Sequence, residues 1–184
     1  MKNLTTLCFL ILVFASNAQD SLYKSVEVGI RSKKYTGFYW ENGITAEFYS
    51  AKITGKFPLH FGMNFTFSAL GSAFHSNALS MTNIDGFAAY YFRHNKKFQP
   101  NIRLNVGYVH TDLGSFANYH EYHNAAMVVG LEAGFSYQLP YRFRICTSGG
   151  YNFFVGNESS SLGSSVYPVF GQISILYAIK NVYR

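Results

Sequence analysis

The sequence predicts an all-β protein, an eight-stranded antiparallel up-and-down barrel that crosses a membrane, with short periplasmic turns and four longer extracellular loops. Three observations predict it. Eight segments alternate between apolar and polar residues, the connections between them alternate between long and short, and charged residues make up only 13% of the chain. Soluble domains carry about 25% charged residues, so the surface of this chain is either largely hidden from water or does not face water.

The first 18 residues have the features of an export signal. A basic Lys2 precedes an apolar run over 7–15, and the small residues Ser16 and Ala18 are placed as at a cleavage site. The run is too short to span a bilayer, which needs about 20 apolar residues. We therefore expect cleavage after Ala18 and one barrel domain over 19–184, in which Cys146 has no cysteine partner for a disulfide.

The alternating segments have the period and length of membrane-crossing strands. Side chains in a strand point to opposite faces in turn, and about 9–11 residues cross a bilayer at 45° tilt. In the third segment, 58–70, aromatic and aliphatic residues occupy one face and Gly, Asn, Ser and Thr the other. The eight segments are about 23–33, 44–54, 58–70, 84–93, 100–111, 124–138, 142–154 and 166–180.

The two faces and the loop lengths together predict closure and orientation. An open sheet would leave backbone groups unpaired in hydrocarbon, so the apolar face should meet lipid and the small polar face should fill a lumen. Short connections near 55–57, 94–99 and 139–141 belong to the periplasmic end. The long connections, at 34–43, 71–83, 112–123 and 155–165, belong to the extracellular end.

Parity along the strands directs eight charged residues into the lumen. They are four acids and four arginines: Glu27, Arg31, Glu47, Asp85, Arg93, Arg103, Glu132 and Arg144. A poorly hydrated interior favours paired charges, and guanidinium suits carboxylates. A symmetric hairpin around 112–123 should place Arg103 opposite Glu132. We interpret the cluster as filling and setting the barrel, with an ion or proton pathway as the alternative.

Basic and aromatic residues also mark the two rims. At the extracellular rim we expect contacts with lipopolysaccharide phosphates and an aromatic girdle. The residues are Arg31, Lys33, Lys34, Tyr35, Tyr39 and Trp40. At the periplasmic rim, basic residues should meet phospholipid head groups. These are Lys56, Lys96, Lys97, Arg142, Lys180 and Arg184. The dispersed charge and the compartment argue against nucleic acid as a partner.

The strand layout and the export signal resemble those of the small eight-stranded outer-membrane barrels, the OmpA transmembrane domain and OmpX-like group, over nearly the whole mature chain. Such proteins usually end on an aromatic residue of the last strand, whereas this chain ends "YAIKNVYR", where Tyr177 or Tyr183 would take that part. The resemblance implies location in the outer membrane of a Gram-negative bacterium, assembly by the barrel-assembly machinery, and a monomer without cofactor.

The resemblance leaves activity open, because the family ranges from structural proteins and adhesins to lipid-modifying enzymes. Eight strands leave an interior filled by side chains, which disfavours an open pore. We therefore expect a non-enzymatic structural, surface-interaction or lipid-contact role. A lipid-A-modifying hydrolase and a narrow transport or sensing barrel are the alternatives, and a soluble lipocalin-like barrel is the alternative fold.

Two motifs bear on these alternatives. Lipid-A deacylases use His-x-Ser-Asn, but "FHSNALS" has His75 directly before Ser76, so the two would point to opposite faces of a strand; His75 with Ser80 across a loop stays conceivable. "HEYH" supplies His120 and His123 near His110, a set that could bind a transition metal only if the loop folds to converge them.

Overall fold

The computed structural model describes residues 24–36, 40–50, 57–71, 77–93, 96–112, 123–155 and 168–180. In these residues eight antiparallel strands follow one another around a closed barrel in chain order. The strands are β1 (Lys24–Tyr35), β2 (Trp40–Ser50), β3 (Leu59–Gly71), β4 (Asn77–Tyr91), β5 (Phe98–Asp112), β6 (His123–Gln138), β7 (Phe143–Val155) and β8 (Val169–Lys180). The predicted export signal lies outside the described residues.

The barrel closes through β1 and β8. Their antiparallel ladder runs from Val26 opposite Lys180 to Tyr35 opposite Phe170, with a bulge between Val26 and Glu27. Closure leaves no edge strand with unpaired backbone groups along the wall. The predicted fold class is therefore confirmed. In the described part of the chain, no helix has the length and apolar character needed to span a membrane.

The two faces of the wall differ as the alternation predicts. In β3, Met63 and Phe67 are 59% and 49% exposed on the outside, whereas Asn64 and Thr66 between them are buried inside. The outward side chains are mainly aromatic or aliphatic along all eight strands. The core of the molecule is therefore the lumen, and it is lined mostly by polar and charged groups.

The strand ends differ from the prediction on one side of the barrel. β2 begins at Trp40, because Trp40 pairs with Lys34, and β4 begins at Asn77, because Asn77 pairs with Gly71. The first two loop-end connections therefore reduce to 36–39 and 72–76, and the prediction of four long loops is wrong for these two. Strand pairing continues through polar residues there, since the ladder depends on the backbone.

The opposite end, where β1 begins at Lys24 and β8 ends at Lys180, carries the connections 51–58, 92–97 and 139–142, the first of which is longer than predicted because β2 ends at Ser50. Residues Pro140–Arg142 form a 3₁₀ turn in which Tyr141 and Arg142 have φ of 61° and 68°. Arg93, in the turn after β4, has φ of 55°. The left-handed region is uncommon for residues other than glycine, so these three residues hold backbone conformations that residues of their type seldom adopt.

Apolar side chains form layers towards both ends of the lumen. At the loop end lie Tyr35, Met81, Val109, Ala126, Val128 and Phe170. Towards the turn end lie Phe87, Ala89 and Tyr91. Between and beside these layers stand the buried charged side chains.

Candidate functional site

The turn-end half of the lumen is organised around the carboxylate of Glu47. Arg144 Nη2 lies 2.6 Å from Glu47 Oε1, while Arg144 Nε donates to Glu27 Oε2 at 2.7 Å. These residues come from β7, β2 and β1, and all three are buried. Because strands of the same barrel are bridged across its interior, this ion-paired network acts as a strut between walls.

Three further side chains donate to Glu47. His60 Nδ1 lies 2.7 Å from Oε1, and Tyr91 Oη donates to Oε2 at 3.1 Å. Arg103 Nη2 lies 3.5 Å from Oε2 and its guanidinium is 4.0 Å from the centre of the Phe87 ring. His60 packs between the rings of Tyr49 and Tyr91, with centroids 4.7 Å and 4.4 Å away. Aromatic rings therefore fill the space around the charges.

A second network surrounds Glu132 nearer the middle of the barrel. Asn105 Nδ2 and Gln172 Nε2 each donate to it at 2.7 Å, and Ser148 Oγ donates at 3.0 Å. Arg31 Nη2 lies 3.5 Å from Glu132, and Arg31 Nη1 lies 3.9 Å from Asp85. Asp85 also accepts from the amide of Asn64. The carboxylate of Glu132 is thus held by four strands.

At the loop end Lys33 is buried beneath the apolar layer. Its Nζ lies 3.9 Å from the Phe170 ring centre and 5.1 Å from that of Tyr35, a cation–π arrangement. Glu41, opposite Lys33 in the β1–β2 ladder, accepts from Thr66 Oγ1 at 3.0 Å. Among the described residues the interior therefore holds the carboxylates of Glu27, Glu41, Glu47, Asp85 and Glu132 with the cations of Arg31, Lys33, Arg103 and Arg144.

The structure places seven of the eight predicted lumenal charges inside the barrel, and Arg93 is the exception. β4 ends at Tyr91, so the chain has already turned at Arg93, whose side chain is exposed. The prediction for Arg93 is wrong because its parity was extended beyond the end of the strand. Glu41 and Lys33 were missed as lumenal residues, although parity from Ile30 onwards would have assigned Lys33.

The predicted opposition of Arg103 and Glu132 is present in the β5–β6 ladder. Their side chains nevertheless turn to other partners: Arg103 reaches Glu47, and Glu132 is reached by Arg31. Two long side chains on neighbouring positions can extend in different directions across a lumen, so opposition in the ladder does not settle the ion pair.

The residues predicted for the outer girdle alternate between the two faces of the wall, so only some of them face outward. Arg31, Lys33 and Tyr35 point into the lumen, so their assignment to the lipid-facing rim is wrong. Lys34 and Trp40 do point outward, with Lys34 Nζ 5.1 Å from the Trp40 ring centre. Tyr39 lies outside the described residues.

Only some of the residues proposed for a deacylase-like site or a metal site lie in the part of the chain that the structure describes. His75 and Ser76 lie outside the described residues, while Ser80 lies in β4 and is half-buried. His110 is half-buried on β5, His123 begins β6, and His120 lies outside the described residues. In the segments that the structure describes, no three His, Cys, Asp or Glu residues come together in a metal-binding group.

The geometry can now be compared with known proteins. No protein-family model matches the chain, and no curated protein matches it by sequence. Solved structures do match. The N-terminal β-barrel domain of Pseudomonas aeruginosa OprF aligns at a TM-score of 0.60 and 11% identity, over 84% of this chain and 97% of that one. The chain has the fold of the eight-stranded outer-membrane barrels.

Two further structures show the same barrel. Neisserial surface protein A aligns at a TM-score of 0.56 and 14% identity, over 88% of this chain and 97% of that one. Ail, the attachment invasion locus protein of Yersinia pestis, aligns at 0.54 and 14% identity, over 86% of this chain and 98% of that one. At such identities the likeness shows the fold alone, because one fold supports many activities.

Proposed function

We propose that this protein is an integral barrel of the outer membrane of a Gram-negative bacterium, exported by its first 18 residues, with a structural and lipid-contacting role and no enzymatic activity. We further propose that its lumen is closed to ion flow. The observation that carries this proposal is the Glu47 network, in which Arg144, Arg103, His60 and Tyr91 converge on one carboxylate across the barrel.

The outer wall supports the membrane location. Ile30, Ile44 and Met63 are between 54% and 64% exposed, a costly arrangement in water for so many apolar side chains. Aromatic side chains are exposed at both rims, with Trp40 at the loop end and Phe57, Phe98 and Tyr141 at the turn end. Aromatic girdles flanking an apolar band are typical of outer-membrane barrels.

The turn end also supports contact with phospholipid head groups. Arg93, Lys96, Lys97 and Arg142 are exposed there, beside the aromatic side chains of that rim. A cation near an anionic membrane surface contributes about 1 kcal/mol of binding free energy. We propose that this rim sits at the inner leaflet, and that the protein reaches the membrane as a monomer through the barrel-assembly machinery.

Planar-bilayer recording of the refolded mature protein tests the closed lumen. We expect no steady conductance from the wild type. The double variant Arg144→Gly and Glu47→Gly, which deletes the central strut, should admit ions, whereas Arg142→Gly, in the neighbouring exposed turn, should stay silent. Steady channels from the wild type, after its barrel has been shown to be folded, would overturn the proposal that the lumen is closed.

Release of labelled acyl chains from lipid A tests the absence of enzymatic activity. We expect no release by the refolded protein in vesicles above that of boiled protein. Turnover that disappears in the Ser80→Ala variant would instead establish the hydrolase alternative.

A further inference from the structure

A cavity of about 440 Å³ lies on the outer wall at the loop end, across the β1–β8 seam. It is separate from the ion-paired lumen, because its outward lining comes from Ser32, Lys34, Thr36, Trp40, Gly171 and Ile173. Lys34 pairs with Trp40 on one side and with Gly171 on the other, so the lysine stands between two other residues that line the cavity.

Polar groups occur here on a face that is otherwise apolar. The outward positions of β1 run through Val26, Val28 and Ile30 and then change to Ser32 and Lys34. Ser32 Oγ donates to Asn42 Oδ1 at 2.7 Å across the β1–β2 pair, which directs the Asn42 N–H donors away from that oxygen. The cavity therefore presents the Lys34 cation, and the Asn42 amide stands beside the lining residue Ser32 as a hydrogen-bond donor, since the Ser32 hydroxyl already donates its one hydrogen to Asn42.

From Gly171, which lines the cavity, a row of small outward residues runs across the neighbouring strands. Gly171 pairs with Gly149, and Gly149 pairs with Ala133, all on the outside of the wall. A Cβ atom at Gly171 would meet nothing within 4 Å, and one at Gly149 would first meet a backbone oxygen at 3.6 Å. Packing does not demand glycine at Gly171 or Gly149, and their effect is a low floor on the outer surface.

Larger side chains stand on both sides of this floor. Val169, Tyr151 and Leu131 follow one another across β8, β7 and β6 on one side. Ile173 and Phe135 stand on the other side, and all five are between 44% and 54% exposed. The result is a shallow apolar groove that leads away from the polar rim along the wall.

We propose that this groove binds a phosphate-bearing lipid of the outer leaflet, with its phosphate at Lys34 and the Asn42 amide and one acyl chain over Gly171 and Gly149. The charge at the rim complements a phosphate, and the apolar groove complements a hydrocarbon chain. The inference rests on the proposed membrane location, since only there does the loop end face the outer leaflet.

Charge also decides against a second copy of the chain as the occupant. A symmetric pairing across this seam would bring two Lys34 side chains into one apolar interface, and the described residues that line the cavity include no carboxylate to pair them. A buried unpaired charge is strongly unfavourable, whereas a lipid phosphate supplies the missing partner.

Titration of the barrel with diphosphoryl lipid A in phosphatidylcholine vesicles tests the proposal. Trp40 is the single tryptophan of the chain, so its fluorescence reports the site directly. We expect a saturable change in the wild type. Lys34→Gln should weaken binding about fivefold, as expected for one cation at an anionic lipid surface. Gly171→Leu, which fills the floor, should weaken it comparably.

Matched variants separate the groove from general effects. Gly86 on β4 is an exposed outward glycine on the far wall, where a Cβ would first meet atoms at 3.9 Å, so Gly86→Leu should bind like the wild type. Lys97→Gln, at the turn end, should do the same. Native mass spectrometry of the lipid adducts provides a second readout that does not depend on Trp40.

The outcomes distinguish this inference from the proposal on which it rests. Equal binding by wild type, Lys34→Gln and Gly171→Leu would overturn the groove, and so would an equal loss in the two control variants. An identical midpoint for phosphatidylglycerol would overturn the assignment to the outer-leaflet lipid. A wild type that does not insert into vesicles at all would instead overturn the membrane location.

Discussion

Glu47 illustrates what a single side chain does in this barrel. Its two oxygens accept from donors carried by β3, β4, β5 and β7, while Glu47 itself belongs to β2. A buried carboxylate is costly unless it is paired and hydrogen-bonded, and here both conditions are met. Because each donor satisfies part of this buried carboxylate, removing any one of them should lower the free energy of unfolding.

Arg144 is the partner whose loss should cost most, because it serves Glu27 and Glu47 together. Arg144→Met should lower the free energy of unfolding by about 3–5 kcal/mol, since it leaves two buried carboxylates without their closest cation. Urea unfolding in lipid vesicles measures this. Arg142→Met, two residues away and exposed, should change stability by less than about 0.5 kcal/mol. Equal effects of the two substitutions would contradict the strut.

A double-mutant cycle distinguishes the contact of Arg103 from its neighbour in the ladder. We expect a coupling free energy between Arg103→Ala and Glu47→Ala in the range of about 0.5–3 kcal/mol, typical of side chains in contact. The coupling between Arg103→Ala and Glu132→Ala should be smaller, because Glu132 is held by other groups. A larger coupling to Glu132 than to Glu47 would show instead that Arg103 pairs with Glu132, its neighbour in the ladder.

At the scale of the element, two adjacent glycines of β7 experience opposite environments. Gly149 points outward, where a Cβ would make only an ordinary contact at 3.6 Å, whereas a Cβ at Gly150 would lie 2.5 Å from the backbone oxygen of Leu131 and 2.6 Å from Phe170 Cζ in the lumen. Neighbouring positions in one strand therefore differ in how much volume they tolerate.

Alanine at these two positions measures that difference. Gly149→Ala should be neutral or should stabilise by up to about 1 kcal/mol, because it restricts only the unfolded chain. Gly150→Ala should destabilise by about 1–3 kcal/mol, because it overpacks the lumen against Phe170. Unfolding midpoints in vesicles give both values. If Gly149→Ala destabilised the barrel and Gly150→Ala did not, the assignment of Gly149 to the outer face and Gly150 to the lumen would be wrong.

The comparison of sequence with structure also belongs at this scale. Period-2 alternation was enough to predict the strands and their faces, and a symmetric hairpin around 112–123 predicted the opposition of Arg103 and Glu132. It could not predict where β2 and β4 begin, since polar residues extend the ladder as well as apolar ones do. Glu41 was missed for that reason, whereas Arg93 was misplaced because β4 ends at Tyr91, and Lys33 was missed although the alternation along β1 assigns it. The partner of Arg103 depends on side-chain reach across the lumen.

For the whole molecule, closure predicts resistance to detergent. The folded barrel should migrate faster on a gel when unboiled than after boiling, because the closed sheet stays compact in detergent while the boiled chain is extended. Circular dichroism of the loaded sample provides the control for folding. A single band at the unfolded position, from a sample shown to be folded, would favour a soluble barrel instead.

The pairing of β8 with β1 closes the strands into a ring, so every strand has two neighbours and the folded barrel has no structural start or end. The described ends at Lys24 and Lys180 lie at the same rim, two residues apart in the ladder through Val26. A short linker could therefore join them, and the chain could be opened instead at the connection between β3 and β4. Such a circular permutant retains every strand neighbour of the original, so the order in which the strands are synthesised is a property of the chain and not of the finished barrel.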